Sequence, residues 1–212
     1  MSVLKRIAYF QGRRDEVPNQ ELARQLVQSQ DRDGIQEIAA NLWHKDVNVC
    51  SDCIKVLYEV GYVEPALIAD YVGDYLKLLQ SKHNRLVWGA MITLATIAAL
   101  KADDLFQHRA EILEAVADGS VITVDAAIKA LAVVASQRDA YREELFPHLL
   151  LHLRSCRPKD VPQHAESTLV AVDATHSAAF VAVLEKRLPD LSSSQAARVK
   201  KVIRAVQAAG SP

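Results

Sequence analysis

Cysteine and histidine are the residue types in this chain best suited to holding a metal ion. Cys50 and Cys53 form a C-x-x-C pair, and His44 stands six residues before the first thiol. Two thiolates and an imidazole could bind zinc. However, no second C-x-x-C or H-x-H pair follows at zinc spacing, and Cys53 also fits the small core position of a repeat described below. Because free cysteine often packs as a small apolar side chain, the sequence favours a core role for this pair.

A second pair of ligand types, His148 and His152, is spaced four residues apart and would share one face of a helix. The three residues between them are all leucine, so the general-base glutamate of the H-E-x-x-H zinc proteases is missing. We therefore expect exposed or half-buried histidines. Neither pair predicts a metal site.

Signatures of catalysis are also lacking in the sequence. It contains no Gly-rich phosphate-binding loop and no G-x-S-x-G nucleophile elbow. The carboxylate pairs Asp103-Asp104 and Glu143-Glu144 are adjacent in sequence, and adjacent side chains on a helix point apart. No catalytic residue and no cofactor are predicted.

Composition narrows the class of protein. Of the 212 residues, 50% are hydrophobic, and only seven glycines and seven prolines occur, which favours a folded, helical chain. The net charge of −1 differs from that of a strongly basic nucleic-acid binder. No apolar run approaches the ~20 residues of a membrane span, so no membrane contact is expected. Three cysteines and the lack of an apolar secretory signal near the N-terminus predict a cytoplasmic location.

An apolar stripe with spacings of four, four and three residues recurs along the chain, and such spacings place its members on one side of a helix. Its anchors Leu57, Leu94, Leu131 and Leu169 fall 37, 37 and 38 residues apart, and a weaker fifth anchor, Ile203, follows after 34. The copies are Val49-Cys53-Leu57-Val60, Leu86-Ala90-Leu94-Ile97, Thr123-Ala127-Leu131-Val134, Val161-Ala165-Leu169-Val172 and Gln195-Val199-Ile203-Val206. A second apolar helix follows each of the first four copies, so the repeating unit is a helix pair.

The stripes resemble those of the HEAT and armadillo repeat families over about residues 33 to 207. The resemblance rests on Asp46-Val47-Asn48-Val49 leading to Cys53, Leu57 and Val60-Gly61, and on the in-phase copies. It implies an all-α fold, a right-handed α-α superhelix (HEAT/ARM-like solenoid) of about four to five helix pairs. The arginine that often follows the first apolar residue of a HEAT stripe is absent. Cys50, Val87, Val124 and Pro162 stand there instead.

The boundaries predicted from these patterns describe a single domain over residues 1–212. Residues 1–45 would form N-terminal capping helices near 2–10, 19–28 and 33–43, residues 46–193 the helix pairs, and 194–212 a C-terminal capping helix. Gly61 with Pro65 would break the chain between two helices. Asp46, Asn84 and Ser194 are predicted to cap helix N-termini, since their side chains accept hydrogen bonds from free main-chain N–H groups.

A binding ridge follows from the resemblance, which implies that the stripe-bearing helices line the concave side. About half a turn away from the buried stripe lie Lys55, Tyr58, Trp88, Asp125 and Lys129, with Arg85 beside them. Aromatic and charged side chains together are typical of surfaces that carry binding energy. The competing interpretation places Trp88 between repeats as a packing residue.

Two functions from different classes fit these features. The first is a non-catalytic scaffold that binds a protein or peptide on the ridge. The alternative is a HEAT-like DNA-binding repair protein of the alkylpurine DNA glycosylase type, in which Trp88, Arg85 and Asp125 would face the DNA. A homodimer through an exposed terminal repeat is a third option. Nucleic acid could also contact the basic C-terminal third of the chain. The competing interpretation is that these cations form an ordinary solvated face. They are Arg154, Arg157, Lys159, Lys186, Arg187, Arg198, Lys200, Lys201 and Arg204.

Overall fold

The structure is a computed structural model that describes residues 2–209, without the side chains of Asp118 and Ala209. Within this range the chain is helical and contains no strand. Its α-helices are α1 (Val17–Ser29), α2 (Arg32–Ala40), α3 (Val47–Val63), α4 (Val72–Leu78), α5 (Asn84–Ile97), α6 (Ala102–Gln107), α7 (Arg109–Asp118), α8 (Val121–Gln137), α9 (Asp139–Ser155), α10 (Val161–Thr168), α11 (Ala174–Arg187) and α12 (Ser193–Ala209). None of the described helices is long and apolar enough to cross a membrane.

The chain divides into two compact units, residues 1–127 and 128–212. The first contains α1 to α7, and the second contains α9 to α12. The predicted organisation as a single domain with capping ends stays a prediction.

In the first unit, the N-terminal segment is held against α1 and α3 by side-chain hydrogen bonds. The Ala8 main-chain N–H donates to Asn19 Oδ1 (2.9 Å), and Asn19 Nδ2 donates to Asp52 on α3 (2.9 Å). The Tyr9 hydroxyl donates to Asp46 (2.6 Å). The predicted helix near residues 2–10 was wrong, because this segment forms two 3₁₀ turns, Leu4–Arg6 and Tyr9–Gln11. Those turns bring Ile7 into the core.

Helices α3 and α5 pack closely because each presents a glycine to the other. A Cβ added at Gly89 on α5 would lie 2.9 Å from Ile54 Cγ2 on α3, and one added at Gly61 on α3 would overlap Thr96 on α5. Real Cβ atoms do not approach so closely, so only glycine permits this separation. The prediction that Gly61 breaks the chain between helices was therefore wrong. It lies inside α3, which continues to Val63.

The repeat stripes form the core of both units. Every residue of the first three copies is buried, including the small residues Cys53, Ala90 and Ala127. In the fourth copy Val161 and Ala165 are buried on α10, but Leu169 and Val172 lie beyond its end and are half-buried. In the fifth copy, Val199, Ile203 and Val206 are buried on α12. The stripes thus predicted most of the buried residues correctly. They did not predict that α10 ends at Thr168, before the last two residues of the fourth copy.

Helix caps were predicted with mixed success. Asp46 caps α3 and accepts a hydrogen bond from the Asn48 main-chain N–H (2.9 Å), as predicted. Asn84 is instead the first residue of α5, where no side-chain cap is present. The predicted cap Ser194 lies inside α12. The Ser192 main-chain N–H donates to Gln195 Oε1 (2.9 Å), half of a capping box that begins two residues before the predicted cap.

Candidate ligand-binding surface

A buried lysine lies at the centre of the predicted binding residues. Lys55 on α3 is only 6% exposed. Its Nζ lies 2.6 Å from Glu59 Oε1 and 2.9 Å from Glu16 Oε2, and 4.6 Å from the centroid of the Tyr58 ring. Burial alone would lower the pKa of Lys55, but its hydrogen bonds to Glu59, Tyr58 and Glu16 outweigh burial and raise it. Lys55 therefore stays charged and holds the two carboxylates together.

Glu16 connects this lysine to α5. It precedes α1, and its second carboxylate oxygen accepts a hydrogen bond from Arg85 Nη2 (2.9 Å). One carboxylate thus binds a cation from α3 and a cation from α5. The pairing fixes the Arg85 guanidinium beside the lysine, where two cations would otherwise repel.

Three aromatic rings continue the same face. The rings of Tyr58 and Tyr62 are 5.9 Å apart at 70°, and those of Tyr58 and Trp88 are 6.2 Å apart at 52°. Such tilted contacts are favourable between aromatic rings. Tyr58 is 5% exposed, Trp88 is half-buried and Tyr62 is 57% exposed. We call these seven residues the aromatic–charged cluster: Glu16, Lys55, Tyr58, Glu59, Tyr62, Arg85 and Trp88.

Helix geometry explains how the cluster assembles. Lys55 with Glu59 and Tyr58 with Tyr62 are spaced four residues apart on α3, and Arg85 with Trp88 three apart on α5. Side chains at these spacings are neighbours on a helix surface. The glycine-mediated contact between α3 and α5 then brings the two rows together.

The structure brings together four of the six predicted site residues. Lys55, Tyr58, Arg85 and Trp88 are brought together in the cluster. Lys55 and Tyr58 were expected to point outward, and this was wrong, because Glu16 and the neighbouring rings cover them. Asp125 is half-buried on α8 in the first unit, and Lys129 is exposed in the second.

Three residues of the cluster, Glu16, Glu59 and Tyr62, were not predicted from the sequence. Glu59 and Tyr62 could have been found, since each stands four residues after a predicted residue on the same helix. No local pattern identifies Glu16, because it meets Arg85 across 69 residues of chain.

The C-x-x-C pair has the predicted core role. Cys53 is fully buried, and burial raises its pKa well above the usual range of a thiol. The Cys50 thiol is also buried and donates to the main-chain oxygen of His44 (3.1 Å). His44 Nδ1 in turn accepts a hydrogen bond from the Asp46 main-chain N–H (3.0 Å). Cys50 and His44 thus make hydrogen bonds at the start of α3, and Cys53 packs in the core.

Several cations of the basic C-terminal third have structural partners. Arg187 is buried and donates to the main-chain oxygens of Leu153 (2.5 Å) and Cys156 (2.8 Å), so its assignment to a surface face was wrong. Arg198 makes a two-pronged ion pair with Glu166, and Arg157 pairs with Asp160. Arg157 and Arg198 are nevertheless exposed, as are the side chains of Arg154, Lys159, Lys186, Lys200, Lys201 and Arg204.

Comparison with known proteins gives matches among solved structures only. No protein-family model matches the chain, and no curated protein matches it. An engineered protein is 18% identical with a TM-score of 0.68, over 99% of this chain and 98% of that chain. A designed armadillo repeat protein in complex with the peptide (KR)4 is 16% identical with a TM-score of 0.65, over 90% of this chain and 86% of that chain. A structure of computationally designed armadillo repeat proteins for modular peptide recognition is 14% identical with a TM-score of 0.65, over 87% of this chain and 86% of that chain.

These matches establish the fold. At identities of 14–18% they carry no function from one protein to another. The chain has an all-α helical repeat fold of the armadillo/HEAT type. The fold class predicted from the phased stripes is confirmed.

Proposed function

We propose that this chain is a repeat scaffold that binds an extended, basic protein segment on the aromatic–charged cluster. The observation that carries the proposal is the pairing of the exposed Tyr62 ring with the half-buried Trp88 ring around Tyr58, beside charges of both signs. Aromatic residues flanked by charges are enriched among the residues that dominate binding energy at protein interfaces.

The rings provide a contact area that is already in place. Tyr58 is buried and contacts both Tyr62 and Trp88, so it supports the two rings that a partner could touch. A bound segment would cover the Tyr62 ring at little entropic cost, because a tyrosine side chain has only two rotatable χ angles.

The charges favour a cationic partner. The Lys55 ammonium is buried and already held by both carboxylates, which leaves Glu16, Glu59 and Arg85 as the part-exposed charges. An arginine or lysine of a partner could stack on the face of Tyr62 or Trp88 and pair with Glu59. Acidic segments could pair only with Arg85, which Glu16 already holds, and the aromatic faces attract cations, so acidic segments are disfavoured.

The structural neighbours support this partner class. One designed armadillo repeat protein of the same fold was solved with the peptide (KR)4, an alternating basic sequence. A repeat fold can therefore present a surface to an extended basic peptide. In this chain, the aromatic–charged cluster has the chemistry for such contacts.

The proposal is tested by fluorescence anisotropy with labelled (KR)4 and, for comparison, a labelled acidic peptide of equal length. We expect saturable binding of the basic peptide to the full chain and much weaker binding of the acidic one. Trp88→Ala and Tyr62→Ala should each raise the Kd at least about tenfold, the effect of removing an interface residue that contributes about 1.4 kcal/mol or more.

Trp43→Ala is the matched control. Trp43 is the second tryptophan of the chain and is also exposed, but its indole N–H donates to Asp74, outside the cluster. Its removal should leave the Kd unchanged. The proposal fails if (KR)4 does not bind, or if Trp43→Ala weakens binding as much as Trp88→Ala does.

The other functional expectations stay predictions from the sequence. They are nucleic-acid contact through the basic C-terminal third, self-association, the DNA-repair alternative and a cytoplasmic location.

A further inference from the structure

Three potential metal ligands meet in the second unit, far in sequence from the aromatic–charged cluster. His152 lies near the end of α9, Cys156 is the first residue beyond that helix, and His164 lies on α10. One ligand atom from each, two imidazole nitrogens and a sulfur, lies within 4.8 Å of the other two. His152 Nε2 and His164 Nδ1 are 2.9 Å apart.

These separations are close to those of a metal site. Zinc binds imidazole nitrogen at about 2.0–2.1 Å and thiolate sulfur at about 2.3 Å, so tetrahedral geometry places neighbouring ligand atoms about 3.3–3.7 Å apart. The two nitrogens, 2.9 Å apart, need to separate slightly.

We propose that His152, Cys156 and His164 form a binding site for a borderline-soft divalent cation of the zinc type. Imidazole and thiolate are ligands that zinc prefers, and three protein ligands leave a fourth position for water or another donor. On binding, the Cys156 S–H bond breaks, its proton leaves to solvent, and a sulfur–metal bond forms. Of the two imidazole nitrogens that share the hydrogen bond, the donor gives up its proton and the same ring takes one up from solvent on its other nitrogen, so that both nitrogens can bind the metal in place of the hydrogen bond.

Main-chain hydrogen bonds fix the positions of two of the ligands, His152 and Cys156, relative to each other. The Cys156 N–H donates to the His152 main-chain oxygen (2.8 Å), which fixes their separation at the end of α9. Arg187 of α11 donates to the main-chain oxygens of Leu153 (2.5 Å) and Cys156 (2.8 Å), which ties the same segment down from a neighbouring helix. A site with little freedom in its ligands loses little entropy when it binds.

Burial distinguishes the cluster from histidines scattered on a surface. His164 is only 1% exposed, while His152 and Cys156 are half-buried. The cluster therefore has a closed side at His164 and an open side through which a cation could enter. The competing interpretation is a histidine pair whose hydrogen bond serves packing and which binds no metal.

The test is a titration of the reduced full chain with Co²⁺, followed by competition with Zn²⁺. We expect saturation at one equivalent, with thiolate-to-cobalt charge-transfer absorption in the near ultraviolet that Zn²⁺ abolishes. Cys156→Ser should remove that absorption. His152→Ala should weaken Co²⁺ binding at least about tenfold, within the range found for lost ligand support.

Matched controls come from the same residue types elsewhere. Cys50→Ser removes another thiol, and His148→Ala removes the exposed histidine one turn earlier on α9. Both should bind Co²⁺ like the parent chain. Far-ultraviolet circular dichroism of each variant verifies its fold, and Zn²⁺ should raise the melting temperature of the parent chain but not of Cys156→Ser.

Three outcomes overturn the proposal. They are the lack of charge-transfer absorption in the parent chain, its persistence in Cys156→Ser, and its loss in Cys50→Ser. If buried His164 cannot be replaced without unfolding, the half-buried His152 and Cys156 still decide the question.

Discussion

Glu16 and Arg85 are 69 residues apart in sequence, yet Arg85 Nη2 lies 2.9 Å from Glu16 Oε1. The same carboxylate binds Lys55 of α3 through its other oxygen. The segment before α1 is therefore part of the aromatic–charged cluster and not only a cap on the repeat. It neutralises two cations that α3 and α5 would otherwise bring together without a counter-charge.

Replacing Lys55 should destabilise the first unit. Lys55→Met keeps most of the length of the side chain but removes the cation between Glu16 and Glu59, so that only Glu16 keeps an ion-pair partner, Arg85. Breaking a buried ion pair is strongly destabilising, and the partial exposure of both carboxylates reduces the effect, so we expect a loss of about 1–3 kcal/mol. Urea denaturation measures it, and Lys45→Met, an exposed lysine just before α3, is the control. A loss no larger than that of the control would contradict a structural role for the pair.

Local spacing predicted part of the cluster, and long-range contacts supplied the rest. Tyr58, Arg85 and Trp88 could be selected because helical spacing indicates which side chains share a face. Neither the Glu16 ion pairs nor the meeting of His152 with His164 has a local signature. The sequence paired His152 with His148 four residues earlier, whereas the turn between α9 and α10 brings His164 to it instead.

The close approach of α3 and α5 predicts opposite effects for two glycine substitutions. Gly89→Ala would push a Cβ to 2.9 Å from Cγ2 and 3.0 Å from Cγ1 of the β-branched Ile54. Overpacking of about 1–3 kcal/mol outweighs the helix-propensity gain of up to about 1 kcal/mol, so the net result is destabilisation. Gly73→Ala on α4 meets nothing within 4 Å and should stabilise by about 0.4–1 kcal/mol.

Thermal and urea unfolding of these two variants measure the difference. If Gly89→Ala is as stable as the parent chain, the spacing of α3 and α5 does not depend on this glycine.

Because of Asp173, the free energy of unfolding of the second unit should decrease at acid pH. It caps α11, accepting from the His176 main-chain N–H (2.9 Å) and contacting His176 Nδ1 (2.7 Å). Burial raises its pKa, but the hydrogen bonds to His176 and the charges of His176 and Arg142 outweigh burial and lower it. The unfolded chain thus binds the proton more readily. The stabilisation is complete above the unfolded-state pKa of about 3.9 and is lost as pH falls through the lower folded-state value.

Asp173→Asn tests this dependence, because asparagine can still cap the helix but carries no titrating carboxylate. Its free energy of unfolding should fall less steeply than that of the parent chain as pH drops below about 4. Urea unfolding curves recorded from pH 2 to pH 6 measure the slope. Identical slopes for the two proteins would show that the lowered pKa has another origin.

The same cap explains why the fourth stripe did not remain helical. The pattern Val161-Ala165-Leu169-Val172 predicts continuous helix, but Asp173 must adopt extended backbone geometry to cap α11. The chain therefore leaves α10 at Thr168 and passes through a 3₁₀ turn at Leu169–Ala171. The apolar periodicity predicts which residues are buried, but it does not predict that the Asp173 cap of α11 ends α10 before Leu169.

Arg187 should be essential to the second unit although it stands among exposed cations in the sequence. It is 8% exposed, donates to two main-chain oxygens at the end of α9 and pairs with Asp190 (3.0 Å). Arg187→Ala removes the charged donor of both oxygens and leaves the Leu153 oxygen only the weak Cys156 thiol donor (3.9 Å), so it should destabilise by about 2–5 kcal/mol. Arg187→Lys should recover only part of this loss, because an ammonium lacks the planar fork that reaches both oxygens.

Lys186→Ala is the control, since Lys186 precedes Arg187 on the same helix and is exposed. We expect it to change the free energy of unfolding by no more than about 0.5 kcal/mol, as at other surface positions. Chemical denaturation of the three variants orders them as Lys186→Ala, Arg187→Lys and Arg187→Ala from most to least stable. If Arg187→Ala were as stable as Lys186→Ala, the end of α9 would be held by its own helical hydrogen bonds, and the support that Arg187 gives to Cys156 would be dispensable.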